Sequence, residues 1–379
     1  MRVKIESFLR EVCEKTTQNN EYPVLTSSKS GLFLQSDYFN KQVASTDNTG
    51  YKIIKKGQFT YRAMSDTGEF YPNMLECVDV GIVSPAYPVF EIFQTDIIIP
   101  EYLKYYFKSN AFQHAISSFA QGSTRTSVKF NKLKTASIDL PSKQEQTKIL
   151  RLLKKAETLI ACRQQELHKL DDLVKARFVE MFGDPVDNSK HFDLVPLGQL
   201  GVLKRGVSKH RPRNDAVLLG GNFPLIQTGD VSNAKDYITE YTSTYSEEGL
   251  KQSKMWGKGT LCITIAANIA DTAILNFDAC FPDSVVGFIP NEKVTTLFIH
   301  NWFKFLQPVL EENAPAVAQK NLNVATLEKT GVIVPPIEMQ NEFEIFVQQI
   351  DKSKFVESIH VLKLIKEAIA KEVSHDRIR

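Results

Sequence analysis

The densest group of cationic side chains lies between Lys204 and Arg213, in a segment that also contains Gly206 and Pro212. Lysine and arginine bind phosphates through their charge, and an arginine can also donate two hydrogen bonds to the edge of a guanine. The segment is therefore a candidate nucleic-acid contact, although a solvated surface loop has the same composition. The candidate residues are Lys204, Arg205, Lys209, Arg211 and Arg213.

A second kind of candidate occurs twice, in segments 122–129 and 318–323. Both place small residues before side chains that can contact bases, since arginine pairs with guanine and asparagine or glutamine with adenine. Their matching places in the two halves of the chain favour base reading over two unrelated polar loops. The candidates are Arg125, Thr126 and Lys129 in the first segment, and Gln319, Lys320, Asn321 and Asn323 in the second.

Patterns that would indicate an enzyme do not occur in the sequence. There is no G-x-x-x-x-G-K-[ST] phosphate loop and no G-x-G-x-x-G dinucleotide fingerprint. The only Pro-Pro pair precedes Ile337, not an aromatic residue that would grip a flipped base. Asp283 follows Pro282 but lacks the Glu-x-Lys partner of a metal-dependent nuclease. The histidines show no metal-ligand spacing. We therefore predict no catalytic centre, no metal and no cofactor.

Length and composition limit the classes to which the protein can belong. A chain of 379 residues favours two or three modules over a single core. A formal charge of +2 is lower than expected for a protein that coats nucleic acid without sequence preference. The five scattered cysteines are expected to be buried and reduced. Without a signal core or a run of about 20 apolar residues, a cytoplasmic protein with no membrane partner is predicted.

Two long amphipathic helices are predicted, from Ser142 to Phe182 and from Ile337 to Val373. Ser142 and Glu145 form a capping-box pattern at the start of the first helix, and Gly183 is suited to end it. Alternating steps of four and three residues, broken at Arg163, indicate a helix that packs on another helix. This stripe is Ile149, Leu153, Ala156, Ile160, Leu167, Leu170 and Val174.

The second helix repeats the pattern of the first 194 residues later. Gln146 corresponds to Gln340, and even the break at Arg163 recurs as Glu357. The same offset holds upstream, where Leu133 corresponds to Leu327. We predict a duplicated unit, a globular domain followed by a long helix, with the two helices paired in an antiparallel coiled coil. Two unrelated helices in separate cores are the alternative.

The globular halves are predicted to mix helices and strands. The resulting fold class is α+β, with two mixed α/β domains joined by two long helices. The predicted domains are residues 1–141, helix 142–183, residues 184–335 and helix 336–379. The predicted strands are 51–64, 75–83, 223–228, 259–267 and 284–289, and the predicted helices are 101–119 and 296–312.

This layout resembles the specificity subunits of type I restriction-modification systems. Pro141 and Gln146, like Pro335 and Gln340, match that family's Pro-x-x-x-x-Gln start of each conserved helix. Other strings resemble the end of the first helix and parts of the target-recognition domains, and the resemblance extends over essentially the whole chain. These strings are Phe178–Pro185, Pro224–Val231, Ser30–Gln35 and Tyr38–Lys41.

The resemblance implies a non-catalytic, sequence-specific DNA-binding subunit. Each domain would read one half of a bipartite target in double-stranded DNA, and the helices would set the spacer between the halves. The partners would be methyltransferase subunits docked on the helices and restriction subunits. A coiled-coil scaffold that binds only other proteins is the alternative, because heptad helices alone do not exclude it.

Overall fold

The computed structural model describes residues 2–38, 47–119, 126–266, 269–313 and 322–354. The chain forms two units, Met1–Ile160 and Ala161–Arg379, and the boundary falls within the long helix α5 (Lys143–Phe182). Over the described ranges, the helices are all too short or too polar to cross a membrane.

Unit 1 is built from short strands and short helices before α5. Its helices are Gln35–Tyr38 (α1), Pro100–Tyr106 (α2), Asn110–Ser117 (α3) and Phe130–Leu133 (α4). Its strands are Arg2–Lys4 (β1), Leu9–Val12 (β2), Leu25–Ser27 (β3), Leu32–Leu34 (β4), Lys52–Lys55 (β5), Phe59–Thr60 (β6), Met64–Ser65 (β7), Asn73–Met74 (β8), Val80–Val83 (β9), Val89–Ile92 (β10), Thr126–Ser127 (β11) and Ser137–Asp139 (β12).

The strands of unit 1 form a four-stranded sheet in the order β2-β10-β6-β8 and four two-stranded pairs, β1-β12, β3-β4, β5-β9 and β7-β11. An aromatic core lies against the larger sheet. Phe59, Phe90 and Phe107 are fully buried and contact one another through their rings. Ile149 and Leu150 of α5 pack into the same core.

Three predictions for unit 1 were wrong in detail. Of the strand predicted over 75–83, only Val80–Val83 (β9) is a strand. The strand predicted over residues 51–64 is divided into β5, β6 and β7, and Gly57, with a φ of 85°, turns the chain between β5 and β6. The helix predicted over 101–119 is two helices, since the Ser109 hydroxyl accepts a hydrogen bond from the Phe112 N–H and starts α3 anew.

Unit 2 contains the second half of α5, two further sheets and a second long helix. Its other helices are Thr228–Asn233 (α6), Glu247–Lys251 (α7), Thr296–Asn313 (α8), Val324–Lys329 (α9) and residues 337–354 (α10). Its strands are Leu194–Pro196 (β13), Gly201–Arg205 (β14), Leu219–Leu225 (β15), Tyr237–Ile238 (β16), Ser243–Tyr245 (β17), Met255–Trp256 (β18), Leu261–Thr264 (β19), Thr272–Leu275 (β20), Ala279–Cys280 (β21), Val285–Pro290 (β22) and Gly331–Ile333 (β23).

The strands of unit 2 form a five-stranded sheet, β14-β22-β19-β20-β16, a four-stranded sheet, β17-β15-β21-β18, and the pair β13-β23. Helix α8 confirms the prediction over 296–312, and β19 and β22 lie within or beside their predicted ranges. The strand predicted over 223–228 ends at Leu225, because Thr228 already belongs to α6. The principal core joins the sheet to α8, the end of α5 and α10.

Helix α5 begins and ends as the sequence predicted. The Ser142 N–H and hydroxyl donate to the Glu145 carboxylate, at 2.8 Å each, and the Glu145 N–H donates back to the Ser142 hydroxyl at 3.3 Å. Gly183 follows Phe182 with a φ of 75°. Along the predicted stripe Val174 is buried, whereas Ile160 is 45% exposed.

Within unit 2, the second half of α5 contacts α10. The Arg177 guanidinium donates to Glu342 at 2.8 Å, and the Lys354 ammonium lies 2.8 Å from Asp171. Arg163, which breaks the apolar stripe, is buried and donates to the carbonyl of Lys354 at 2.9 Å. These contacts show that the described parts of the two helices pack antiparallel to each other. The coiled coil itself stays a prediction, and residues 355–379 lie outside the described residues.

The duplication predicted from the sequence has a structural counterpart in two buried glutamines. The Gln146 amide donates to the carbonyls of Ile97 and Pro141 and accepts from the Ile99 N–H. In unit 2, the Gln340 amide makes the same three bonds. Its partners are the carbonyls of Lys293 and Pro335 and the N–H of Thr295.

The same frame surrounds each glutamine. In unit 1, β1 pairs antiparallel with β12 and leads through a 3-10 turn into β2. In unit 2, β13 pairs antiparallel with β23 and leads through a 3-10 turn into β14. Each of the strands β12 and β23 then precedes a long helix. The mixed α and β composition of both units agrees with the predicted fold class.

The prediction that the cysteines are buried holds for two of the five. Cys262 and Cys280 are buried in its strands, whereas Cys13, Cys77 and Cys162 are exposed. Cys262 and Cys280 therefore serve as small apolar side chains in the cores of their sheets.

Candidate nucleic-acid interface

The basic segment 204–213 begins on the edge strand β14 and continues as a loop. Lys204 and Arg205 end the strand, opposite Gly287 and Val286 of β22. Gly206 follows, and a Cβ at this position would come within 2.2 Å of the Phe281 carbonyl oxygen. Because only glycine permits this approach, the loop lies directly against the Phe281–Pro282 backbone. This packing brings the loop beside Asp283.

Asp283 is the acidic residue that the arginines of this loop contact. The guanidinium of Arg213 donates to one of its carboxylate oxygens, and that of Arg211 lies 3.5 Å from the other. The Asp283 side chain is 33% exposed, and the Arg211 and Arg213 side chains are 54% and 45% exposed. The carboxylate therefore holds two exposed arginines at one place on the surface.

The backbone of the loop is braced from two sides. The Gln252 side-chain oxygen accepts hydrogen bonds from the N–H groups of Lys209, at 2.7 Å, and His210, at 3.1 Å. The His210 imidazole lies 3.0 Å from Asp215, whose pKa is lowered by the Val217 N–H and by His210. These contacts define the loop conformation before any ligand binds.

The other three cations of the segment differ from the two arginines. Lys204, Arg205 and Lys209 are exposed, and their side chains form no ion pair with the described residues. Charged residues on an edge strand also prevent pairing with other strands, so Lys204 and Arg205 have a structural explanation as well. Free surface cations of this kind suit contacts to phosphate more than contacts to a base edge.

The second pair of candidate segments is only partly described. Arg125, Gln319, Lys320 and Asn321 lie outside the described residues. Of the remaining candidates, Lys129 and Asn323 lie at corresponding places, each directly before a short helix, whereas Thr126 lies on β11. Lys129 precedes α4, and Asn323 precedes α9.

These remaining candidates have different surroundings. The Thr126 hydroxyl donates to the Ser65 carbonyl at 3.1 Å, which ties β11 to β7. Lys129 is exposed and precedes α4 without a side-chain cap. The Asn323 side chain accepts a hydrogen bond from the Ala325 N–H at 3.1 Å and caps α9. Asn323 therefore has a structural role that its sequence pattern did not indicate.

Unit 1 also contains an open cleft that the sequence did not reveal. Its volume is about 900 Å³, and it lies beside β7, the strand that pairs with Thr126. Lys29 lines the cleft. Its ammonium nitrogen lies 3.2 Å from the Glu69 carboxylate and 5.3 Å from the centre of the Tyr71 ring. The polar and aromatic lining includes Thr26, Lys29, Arg62, Asp66, Glu69 and Tyr71. These residues come from separate elements, so no local motif could have identified them.

A buried polar cluster in unit 2 has the composition of an acid-base site but not its accessibility. The His300 imidazole lies 2.9 Å from the Thr272 hydroxyl and 3.1 Å from Asp236, which also pairs with Lys304. His300 is fully buried and Thr272 is 9% exposed. Burial opposes ionisation of Asp236, but His300 and Lys304 hold the pKa of its carboxyl well below the usual range. The cluster therefore satisfies its own polar groups inside the core.

No group of three potential metal ligands occurs among His, Cys, Asp and Glu side chains of the described ranges. Asp283, which the sequence suggested as a weak nuclease candidate, is instead paired with two arginines. At this loop, unit 2 therefore presents a surface rich in hydrogen-bond donors, which suits binding.

Comparison with known families gives two matches along the chain. Residues 6–171 and 190–366 each match the model of the type I restriction modification DNA specificity domain. The chain belongs to this family. The two matches correspond to the two halves predicted from the sequence repeat.

Two similar proteins are specificity subunits of type I restriction enzymes from Methanocaldococcus jannaschii. The MjaX subunit is 22% identical over 256 residues, which are 66% of this chain and 60% of that protein. The MjaIX subunit is 23% identical over 314 residues, which are 76% of this chain and 71% of that protein. The alignments thus span between about three fifths and seven tenths of these relatives.

A solved structure supports the fold over nearly the whole chain. One chain from a study of complex assembly and conformational transition in the type I R-M system matches with a TM-score of 0.60. The match covers 98% of this chain and 95% of that chain, at 15% sequence identity. At this identity the similarity concerns the fold.

Proposed function

We propose that this protein is the sequence-reading DNA-binding specificity subunit of a type I restriction-modification complex and has no catalytic centre of its own. The observation that carries the proposal is the duplication. Two copies of the family domain occur in one chain, and each contains the same buried glutamine frame. Two recognition domains in one chain suit a bipartite target, in which each domain would bind one half-site in double-stranded DNA.

The recognition surface would divide its tasks among the candidate residues. Lys204, Arg205 and Lys209 would contact phosphates; their exposure and the lack of an ion pair within the described residues support this role. Thr126 and Lys129 would lie at the reading surface of the first domain, together with Arg125. The corresponding group in the second domain would be Gln319, Lys320, Asn321 and Asn323.

The long helices would set the spacer between the half-sites. The proposed domains are residues 1–141 and 184–335, with helices over 142–183 and 336–379. The 40 residues of α5 correspond to a helix about 60 Å long, and a rod of this kind would fix the phase of two sites along a duplex. Methyltransferase subunits would dock on the helices, restriction subunits would join them, and the complex would work in the cytoplasm.

Selection from a random duplex library tests the DNA-reading function. The chain, bound to its methyltransferase subunits, is expected to enrich a motif with two specified halves and an unspecified spacer. Affinity should fall steeply with salt as phosphate contacts are lost. A complex without sequence preference or salt dependence would instead indicate a scaffold that binds only proteins.

The spacer proposal has a separate test. Insertion of whole helical turns after Leu159 is expected to change the spacer length in the enriched motif, while both half-sites stay the same. An unchanged spacer would refute the role of the helices as a ruler and leave the DNA-reading function in place.

A further inference from the structure

The two arginines beside Asp283 have different numbers of hydrogen bonds. The Arg211 guanidinium donates to the carbonyls of Ser208, at 2.6 Å, and His210, at 2.8 Å, and its other terminal nitrogen faces Asp283. Both terminal nitrogens of Arg211 are therefore engaged in holding the loop. Arg211 is a scaffold of the loop and has little capacity left for a ligand.

Arg213 is held at one point only. One terminal nitrogen donates to Asp283, and its guanidinium forms no other hydrogen bond with the described residues. An arginine has five N–H groups in a planar fork, so most donors of Arg213 remain available. Because the side chain is 45% exposed and its far end is fixed, these donors are presented to solvent in a defined orientation.

The carboxylate of Asp283 favours a neutral acceptor over a phosphate as the ligand of Arg213. Asp283 is 33% exposed beside the arginines, so an approaching phosphate would meet a like charge. The edge of a guanine presents two acceptors, O6 and N7, without a net charge, and an arginine fork matches their spacing. The unpaired cations Lys204 and Arg205 precede the same loop and suit the flanking phosphates.

We infer that Arg213, oriented by Asp283, reads a guanine in the half-site bound by the second domain. Arg213 is the specificity-determining residue, Asp283 is a positioning residue, and Arg211 keeps the loop in shape. The inference rests on the proposed function, because it requires a duplex bound at this surface.

The test is library selection with the wild-type complex and with Arg213→Ala. The wild type should require a guanine at one position of one half-site. The variant should accept all four bases there, keep the rest of the motif, and bind the original target about tenfold to a hundredfold more weakly. Arg213→Lys should restore affinity in part but not the guanine requirement, since lysine lacks the fork.

Arg205→Ala is the matched control, because Arg205 is an exposed arginine just before the loop with no ion pair to the described residues. It should weaken binding to all sequences alike and reduce the salt dependence by about one phosphate contact. If Arg213→Ala behaves in this same way, Arg213 contacts phosphate and the inference is wrong.

Replacement of the selected guanine by 7-deazaguanine removes the N7 acceptor and gives an independent test. It should weaken the wild type and leave Arg213→Ala unaffected. Equal weakening of both proteins would assign that guanine to another residue and overturn the inference.

Asp283→Asn separates the positioning residue from the reader. The variant should relax the same guanine position as Arg213→Ala, with an unchanged thermal unfolding midpoint. An intact guanine requirement would remove Asp283 from the proposal. A wild-type complex that enriches no motif would overturn the proposed function itself, whereas an intact motif in Arg213→Ala would overturn only this inference.

Discussion

The two units of this protein share a frame and differ in their surfaces. Gln146 and Gln340 make the same three hydrogen bonds at the base of each unit. The polar surfaces have little in common, since unit 1 presents a cleft with Lys29 and Tyr71, and unit 2 presents arginines around Asp283. The frame is constrained by burial in both units, whereas the surfaces are free to differ.

This contrast separates stability from recognition. Substitutions in the frame should destabilise the unit that contains them, because they leave cavities or unpaired buried groups. Substitutions on the surfaces should change DNA recognition with little effect on folding.

The largest effect is expected where α5 enters the core of unit 2. Phe178 is fully buried, with its ring centre 5.1 Å from that of Phe305 and 5.4 Å from that of Phe343 on α10. Phe178→Ala should lower the free energy of unfolding by about 3–5 kcal/mol. Both tryptophans of the chain, Trp256 and Trp302, lie in unit 2, so urea unfolding followed by their fluorescence measures this loss.

Val179→Ala is the control on the same helix, because Val179 is 39% exposed. It should change the free energy of unfolding by no more than about 0.5 kcal/mol. Equal effects of the two substitutions would contradict the packing of α5 described above.

The shared frame predicts matching losses at the two glutamines. Gln146→Leu and Gln340→Leu each leave one buried N–H and two carbonyls without their partner, at a cost of about 2–4 kcal/mol. Hydrogen exchange should show increased opening of the Ile99 amide in the first variant and of the Thr295 amide in the second. Gln144→Leu and Gln349→Leu, at exposed positions of the same helices, should be nearly neutral. A loss in one unit alone would break the equivalence of the two frames.

A smaller difference between the units is expected from pH. Burial lowers the pKa of His300 despite the opposing effect of Asp236. An unfolded histidine, with a pKa of about 6.5, takes up a proton before the folded one, so stability falls as the pH drops below this value. The loss is at most about 1.4 kcal/mol per pH unit for one proton. His114, the one histidine of unit 1, is exposed, so this contribution from a buried histidine is expected in unit 2 alone.

Thermal unfolding of unit 2 at pH 7.5 and 5.5 measures the effect through tryptophan fluorescence. His300→Gln should flatten the dependence, whereas His168→Gln, at an exposed position of α5, should preserve it. An unchanged slope in His300→Gln would show that another group titrates.

Local patterns predicted the parts of the fold that local contacts determine. The ends of α5 followed from Ser142, Glu145 and Gly183, and the equivalence of Gln146 and Gln340 followed from the repeat. The division of the strand predicted over 51–64 was missed, because the break between β5 and β6 depends on one turn residue, Gly57.

The site was less predictable than the frame. Its cations were evident, but the different roles of Arg211 and Arg213 depend on Asp283, some 70 residues later in the chain. Such a pairing exists only after folding, so no spacing rule reveals it. The cleft of unit 1 was missed for the same reason, since its lining comes from several separate strands and loops.

Methylation mapping tests the proposed function most directly. The chain is co-expressed and co-purified with a candidate type I methyltransferase subunit, and modified adenines are mapped in genomic DNA with and without the chain. We predict methylated adenines in a split motif that disappears when the chain is removed. A stable complex that leaves no reproducible motif modified would contradict the role of this protein as a DNA specificity subunit.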